Sequence, residues 1–491
     1  GRILTSMDGY QIEFSDGYSD MLYQKMGLAT PDEAAEVIDW VRGEYVPGLR
    51  YRGGWKLGDV VDSSPVVVGM PSSFYLTEDY MAYRMANVDR PRAVYIGAND
   101  GMLHAFDEMT GKELWAFVPE SQLPKLKSLA DTSYCHEYSV NLTPKVEDVY
   151  LGGAWRTVLF GGMKHGGDGF FAIDVTDREN PQFLWETQLP GVIQSWTQPE
   201  VVRVKALDQM VAIIGSGPDY LNGEAHVMAI SLEDGSLLWT EMLSSQLEVN
   251  LTTAAEGVDY DYDGYDDLFY ISDLAGHLWR YDLRHFPPSK SLLFETDQPI
   301  QAEPILTVDY NNDVYLYFGT GKYIEPLDFI DFSKQTFYCI IDNHSLTSVD
   351  RFGLVDQTST INTISSTDRG WYIDLVLGSG ERIVEPDALV AGFVYFTTFM
   401  PMAERCKFGG FSWLYAVNFR NGAAYDGDED TSNDTTDGRT EEIGEGIVSR
   451  PVIDIIHEDV VIQGTDTKIH VRNTVGVIQQ LIVRSWRQLY N

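Results

Sequence analysis

The chain has 491 residues, 44% of them hydrophobic, enough for a large core built as about three ordinary domains or as one large repeat fold. Its 35 basic and 74 acidic residues leave a formal charge of −39, which repels nucleic acid and anionic lipid surfaces and suits a soluble extracellular protein or a binder of cations. No apolar run approaches the roughly 18 residues of a transmembrane helix, and 44 Gly with 12% aromatic residues lean towards turn-rich β structure.

The chain opens on Gly1 rather than Met, the mark of a processed piece of a longer precursor that would hold the export signal. Residues 1–45 read as a lead-in. Within it, Thr30-Pro31-Asp32-Glu33 starts a short amphipathic helix to Arg42, with Val37, Trp40 and Val41 on its apolar face and a place peripheral to the main fold. From residue 46 to 491 a strand–turn–strand pattern takes over. Its clearest copy runs from Val94 through Asn99-Asp100-Gly101 to Asp107, then Thr110-Gly111 and Leu114-Trp115. Asp-Gly supplies the positive φ that a two-residue hairpin needs.

Looser copies follow at Gly169–Val175 with Leu184-Trp185, at His226–Ile230 with Leu238-Trp239, at Leu268–Ile271 with Gly276–Asp282, and at Ser412–Val417 with Asn421-Gly422. Repeats of this kind predict an all-β fold, a modified β-propeller of roughly seven blades with long insertions. Residues 424–446 are acidic and rich in Gly, Ser and Thr, and read as an exposed loop. Its Asp426–Asp434 stretch is disordered in this reading rather than a second cation site.

The sharpest chemical motif is Asp259-Tyr260-Asp261-Tyr262-Asp263-Gly264-Tyr265-Asp266-Asp267. Carboxylates at loop positions one, three, five and nine, Gly264 at six and the Tyr265 carbonyl at seven suit Ca²⁺, which takes six to eight hard oxygens. The motif leaves the EF-hand pattern at position twelve, where Tyr270 stands, so Asp267 must close the site. The alternative is a solvated acidic turn without an ion, disfavoured because five carboxylates in nine residues repel one another.

Other constellations read as structural. Gly161–Gly169 lacks G-K-[ST] and precedes a strand, which excludes a phosphate loop. Asp309–Asp313 is a hairpin turn. His104, His165, His226 and His277 are scattered over separate copies, and Trp115, Trp185 and Trp239 are placed to pack between blades rather than stack on a quinone. Cys135, Cys339 and Cys406 allow at most one internal disulfide and match no metal spacing. No nucleophile–base or metal–base motif is present, so no enzymatic activity is expected.

Several segments resemble the PilY family of type IV pilus proteins. They are Asp39-Trp40-Val41-Arg42-Gly43, Leu57-Gly58-Asp59 through Val66, Gly319–Tyr323, Gly370–Leu375 with Gly380-Glu381-Arg382, and Ser485-Trp486-Arg487. The resemblance implies a calcium loop in the propeller with ligands at positions one, three, five, seven and nine. It implies an extracellular, cell-surface or pilus-tip protein that works with minor pilins, supports pilus extension, twitching motility and attachment to host or abiotic surfaces, and depends on calcium. No Arg-Gly-Asp is present. The competing readings are a quinone-dependent dehydrogenase and an extracellular binding scaffold unrelated to pili.

Overall fold

A computed structural model describes residues 1–474 apart from 73–74, 76, 246–248, 254–255, 346, 403–408, 426–435, 437, 455–458 and 466–467. Cys406, the acidic stretch 426–434 and Ser485-Trp486-Arg487 lie outside the described residues. The chain divides into two compact units, Gly1–Arg203 with Gln209–Met242, and Val204–Asp208 with Leu243–Asn491.

Seven β-sheets follow one another along the described chain, four of them four-stranded and antiparallel between sequential neighbours. This is the all-β pattern expected, and each of the five sequence copies falls in a sheet of its own. In the first sheet, Ala93–Gly97 and Leu103–Asp107 flank the Asp100-Gly101 turn, pairing Gly97 with Leu103. Gly101 has φ 94°, a conformation that a side chain would strain.

The lead-in contributes more than a helix. Arg2–Met7 pairs in parallel with Glu113–Val118 and so widens the first sheet to six strands. The predicted helix is present as Pro31–Val41, capped by Thr30, whose hydroxyl accepts the Glu33 N–H at 3.2 Å. Its buried residues include Val37, Trp40 and Val41, and they join a cluster with Leu123 and Leu126.

Consecutive sheets pack face to face through aromatic and branched side chains. In the first unit Trp115 and Phe117 meet Phe171 and Ile173 of the second sheet, and Trp185 with Phe160 meets Ala212 and Ile230 of the third. In the second unit Leu268 and Tyr270 meet Leu316 and Tyr338, Phe337 stacks on Phe396 at 4.0 Å, and Tyr395 meets Val460 and Ile462. Each fully buried side chain of this size contributes about 1.5–3 kcal/mol relative to exposure.

The tryptophans also stitch neighbouring sheets. Trp115 Nε1 donates to Arg178 O (2.7 Å) and Trp185 Nε1 to Leu232 O (2.8 Å), each acceptor lying in a turn of the next sheet. Gly235 allows the second contact, because a Cβ there would lie 2.8 Å from the Trp185 ring. Trp239, at the corresponding position of the third sheet, is half-buried.

Candidate metal centre

The loop 259–267 closes the mouth of a short hairpin in the fourth sheet. Its strands Glu256–Val258 and Leu268–Ser272 pair antiparallel with Val258 opposite Leu268, and the Asp267 N–H donates to Val258 O at 2.8 Å. Strand pairing therefore fixes both ends, and the residues between must turn back over a short distance. They do so with Tyr262 at φ 61° and Gly264 at φ 90°.

That turn aims backbone N–H groups at the acidic side chains. Asp259 accepts from Asp263 N (3.2 Å) and Gly264 N (2.8 Å), Asp261 accepts from Asp263 N (3.1 Å), and Asp267 accepts from Tyr260 N (3.2 Å). One carboxylate oxygen each of Asp259, Asp261 and Asp267 lies within 4.8 Å of the other two. Two oxygens on one Ca²⁺ at about 2.4 Å can be no more than about 4.8 Å apart, and the spacing of the trio meets that limit. The donors are all hard carboxylate oxygens, which suits calcium rather than a soft metal.

The electrostatics agree. Asp267 is buried, and burial first, then the nearby Asp261 and Asp259 carboxylates, pushes its pKa up to about 6. Burial and Asp266 also raise that of Asp259. Like charges gathered in a half-buried loop are costly unless a cation neutralises them.

One of the five expected ligands is engaged elsewhere. Asp263 turns away from the trio: one oxygen accepts the Tyr265 N–H at 3.0 Å and the other forms an ion pair with Lys205 Nζ. The Tyr265 hydroxyl donates to Asp208 at 2.9 Å. Lys205 and Asp208 belong to the turn before strand Gln209–Gly215, over fifty residues upstream, and nothing in the local sequence marks them as partners of the loop.

The remaining candidates resolve into structural roles. His104 is enclosed between Asp100 (3.1 Å) and Glu113 (2.8 Å). Burial alone would lower its pKa, but the charge and hydrogen bond of Asp100, then Glu113, hold it at about 9. His277 repeats the arrangement on Asp273 at 3.0 Å with the same four-residue spacing. His226 pairs with Glu224 at 2.9 Å, whereas His165 stands beside Trp196 with ring centroids 4.6 Å apart.

In the glycine-rich segment, Gly166 serves a close approach, since a Cβ there would lie 1.8 Å from Ser139 O. Asp309 shapes the expected hairpin by accepting the Asn311 and Asp313 N–H groups at 2.8 and 3.0 Å. Cys135 is an exposed free thiol and Cys339 a buried one, whose pKa burial drives well above its ordinary value.

Comparison with known proteins identifies the family of the chain. A family model described as the PilY1 beta-propeller domain matches residues 57–360. A type IV pilus biogenesis factor PilY1 homolog of Xylella fastidiosa is 31% identical over 458 residues, covering 83% of this chain and 37% of that protein. Type IV pilus biogenesis factor PilY1 of Pseudomonas aeruginosa strain UCBPP-PA14 is 32% identical over 480 residues, covering 79% and 41%. The chain thus spans about two fifths of the length of the curated relatives it matches. The crystal structure of the Pseudomonas aeruginosa PilY1 C-terminal domain superposes with a TM-score of 0.64 at 24% identity, over 83% of this chain and 99% of that one, a likeness of fold.

Proposed function

The chain belongs to the PilY1 β-propeller family, and on that premise we propose that it is a calcium-binding, non-enzymatic module of a type IV pilus biogenesis factor. In this reading it works outside the cell at or near the pilus tip. It contacts minor pilins, supports pilus extension and twitching motility, and carries adhesion to host or abiotic surfaces.

The observation that carries the calcium reading is the convergence of Asp259, Asp261 and Asp267 within 4.8 Å on a loop tied at both ends by strand pairing. Calcium would supply the positive charge and the high coordination number that this loop lacks. Asp259, Asp261 and Asp267 would hold it, with Asp263 and the Tyr265 carbonyl as the further ligands. Lys205 competes with the ion for Asp263, because one carboxylate oxygen is committed to the ammonium. The fixed ends mean that occupancy orders the loop and the neighbouring 205–208 turn while the other sheets keep their own packing. Calcium therefore acts on a local surface more than on global folding.

Calorimetric titration of the chain with Ca²⁺, alongside Asp263→Ala and Asp267→Asn, tests this reading. We expect one site in the unsubstituted chain, weakened binding in both variants, a β-rich circular dichroism spectrum throughout, and impaired pilus-dependent attachment in cells carrying either variant. Unchanged affinity in both variants refutes the ligand assignment, and complete unfolding of either refutes a regulatory role.

A further inference from the structure

The first unit contains a second constellation, unrelated to the calcium loop. A cavity of about 560 Å³ is lined by residues of the segment 50–60, by Asn99 and Asp100, and by Leu129 and Tyr134. That volume falls within the range of small-molecule sites, about 300–1,000 Å³. The segment 50–60 is tied to the helix Pro31–Val41 and to the Asp100 turn. Trp40 Nε1 donates to Arg50 O at 2.6 Å, and Gly58 N donates to Asp100 at 2.7 Å.

The charges in this wall are unevenly satisfied. Both lining carboxylates have built-in partners: Asp100 bonds His104 and Gly58 N, while Asp59 accepts from Asn99 Nδ2 at 2.9 Å and pairs with His136 at 2.8 Å. Arg50 has no such partner. Its guanidinium lies over the Tyr134 ring at 4.2 Å and near Trp40 at 5.4 Å, and its Nε is buried without a hydrogen-bond acceptor among the described residues. In a chain of formal charge −39, with 74 carboxylates, none among the described residues is paired with this guanidinium. Beside it stand Tyr51 and Trp55 in the cavity lining, residues 76% and 75% exposed, which presents aromatic side chains to solvent.

A planar guanidinium recognises a carboxylate through two parallel hydrogen bonds. Exposed aromatic faces stack on flat apolar ligand surfaces, and carboxylate or amide oxygens accept from hydroxyls. We propose that this cavity binds an acidic sugar of the uronic-acid class, with its carboxylate on Arg50, its ring face against Trp55 or Tyr51, and its hydroxyls donating to the exposed Asp59. An acidic peptide fits the wall less well, because it has no ring hydroxyls to donate to Asp59. A single carboxylate on a polyhydroxylated ring uses both kinds of group.

The test is calorimetric titration of the full chain in the presence of a calcium chelator, so that its outcome is independent of the calcium loop. The probes are trigalacturonate, its neutral counterpart galactotriose, and triglutamate. We expect trigalacturonate to bind about tenfold or more tightly than either of the others, as a charge-assisted bidentate contact predicts. Arg50→Gln should weaken it by about tenfold, and Trp55→Ala, at an exposed position with no place in the core, by about threefold or more. Arg50→Lys should recover only part of the loss, because it keeps the charge without the fork. Equal binding of galactotriose, equal or tighter binding of triglutamate, no saturable binding of trigalacturonate, or affinity unchanged in both Arg50→Gln and Trp55→Ala overturns the proposal.

Discussion

In the turn after strand Ala93–Gly97, the Asp100 carboxylate sits against Gly58 N and the enclosed His104, with Glu113 on the far side of the imidazole. In the loop after strand Glu256–Val258, three carboxylates face one another, and the neighbouring cation, Lys205, is bound to a fourth. Both join neighbouring antiparallel strands through an acidic turn. The first turn carries its own counter-charge and reads as structure. The second gathers negative charge without neutralising it and reads as a cation site. Acidity alone does not distinguish them; the placement of the partner does.

The largest effect expected from breaking this contrast is on the first turn. Replacing His104 with Leu leaves Asp100 buried without its cation, and should cost about 3–5 kcal/mol of stability in urea or thermal unfolding. A cost below about 1 kcal/mol would mean that the turn is no better neutralised than the calcium loop.

Titration gives a second handle on the same turn. The folded pKa of His104, about 9, lies above the ordinary value of 6.5. Its contribution to stability is therefore fully present below about pH 6.5, falls as pH rises, and is gone once pH passes through 9. The swing is up to about 3 kcal/mol at 1.36 kcal/mol per pH unit. Unfolding measured from pH 6 to 10 should show this decline, and His104→Gln should flatten it. Equal slopes in both proteins would remove His104 as its cause.

The loop 259–267, read as a calcium site, should respond to the ion instead. Calcium at a hundredfold excess over its dissociation constant should stabilise the chain by about 2.7 kcal/mol by mass action, and Asp267→Asn should abolish the increment. Differential scanning calorimetry with and without chelator measures both. Loss of cooperative unfolding in chelator would mean that the ion is needed for the whole fold, and the contrast with the first turn would fail.

The smallest effect sharpens the comparison. Lys205→Gln frees Asp263 from its ammonium, so calcium affinity should rise, by about twofold to fivefold for an exposed pair of this kind. Weaker binding in this variant would show that Lys205 shapes the loop rather than competing with the ion.

The two turns also show which kinds of inference succeed from the sequence. Alternating apolar residues and Asp-Gly turns are local signals, and they placed strands such as Leu103–Asp107 and Leu268–Ser272 and the turns between them. The Thr30-Pro31-Asp32-Glu33 start, with apolar residues at helical spacing, placed the helix Pro31–Val41. Spacing within nine residues was enough to bring Asp259, Asp261 and Asp267 together, because a loop whose ends are pinned by strand pairing has few ways to turn. What sheet pairing and packing alone decided lay between distant segments. The Arg2–Met7 strand joined Glu113–Val118 across more than a hundred residues, Lys205 and Asp208 reached Asp263 and Tyr265, and Arg50 met Tyr134. Periodicity and turn chemistry act over a few residues and are written in neighbouring letters. The partner of a charge or a ring is chosen by which sheets stack and which loops then meet, and this depends on the packing of the whole core.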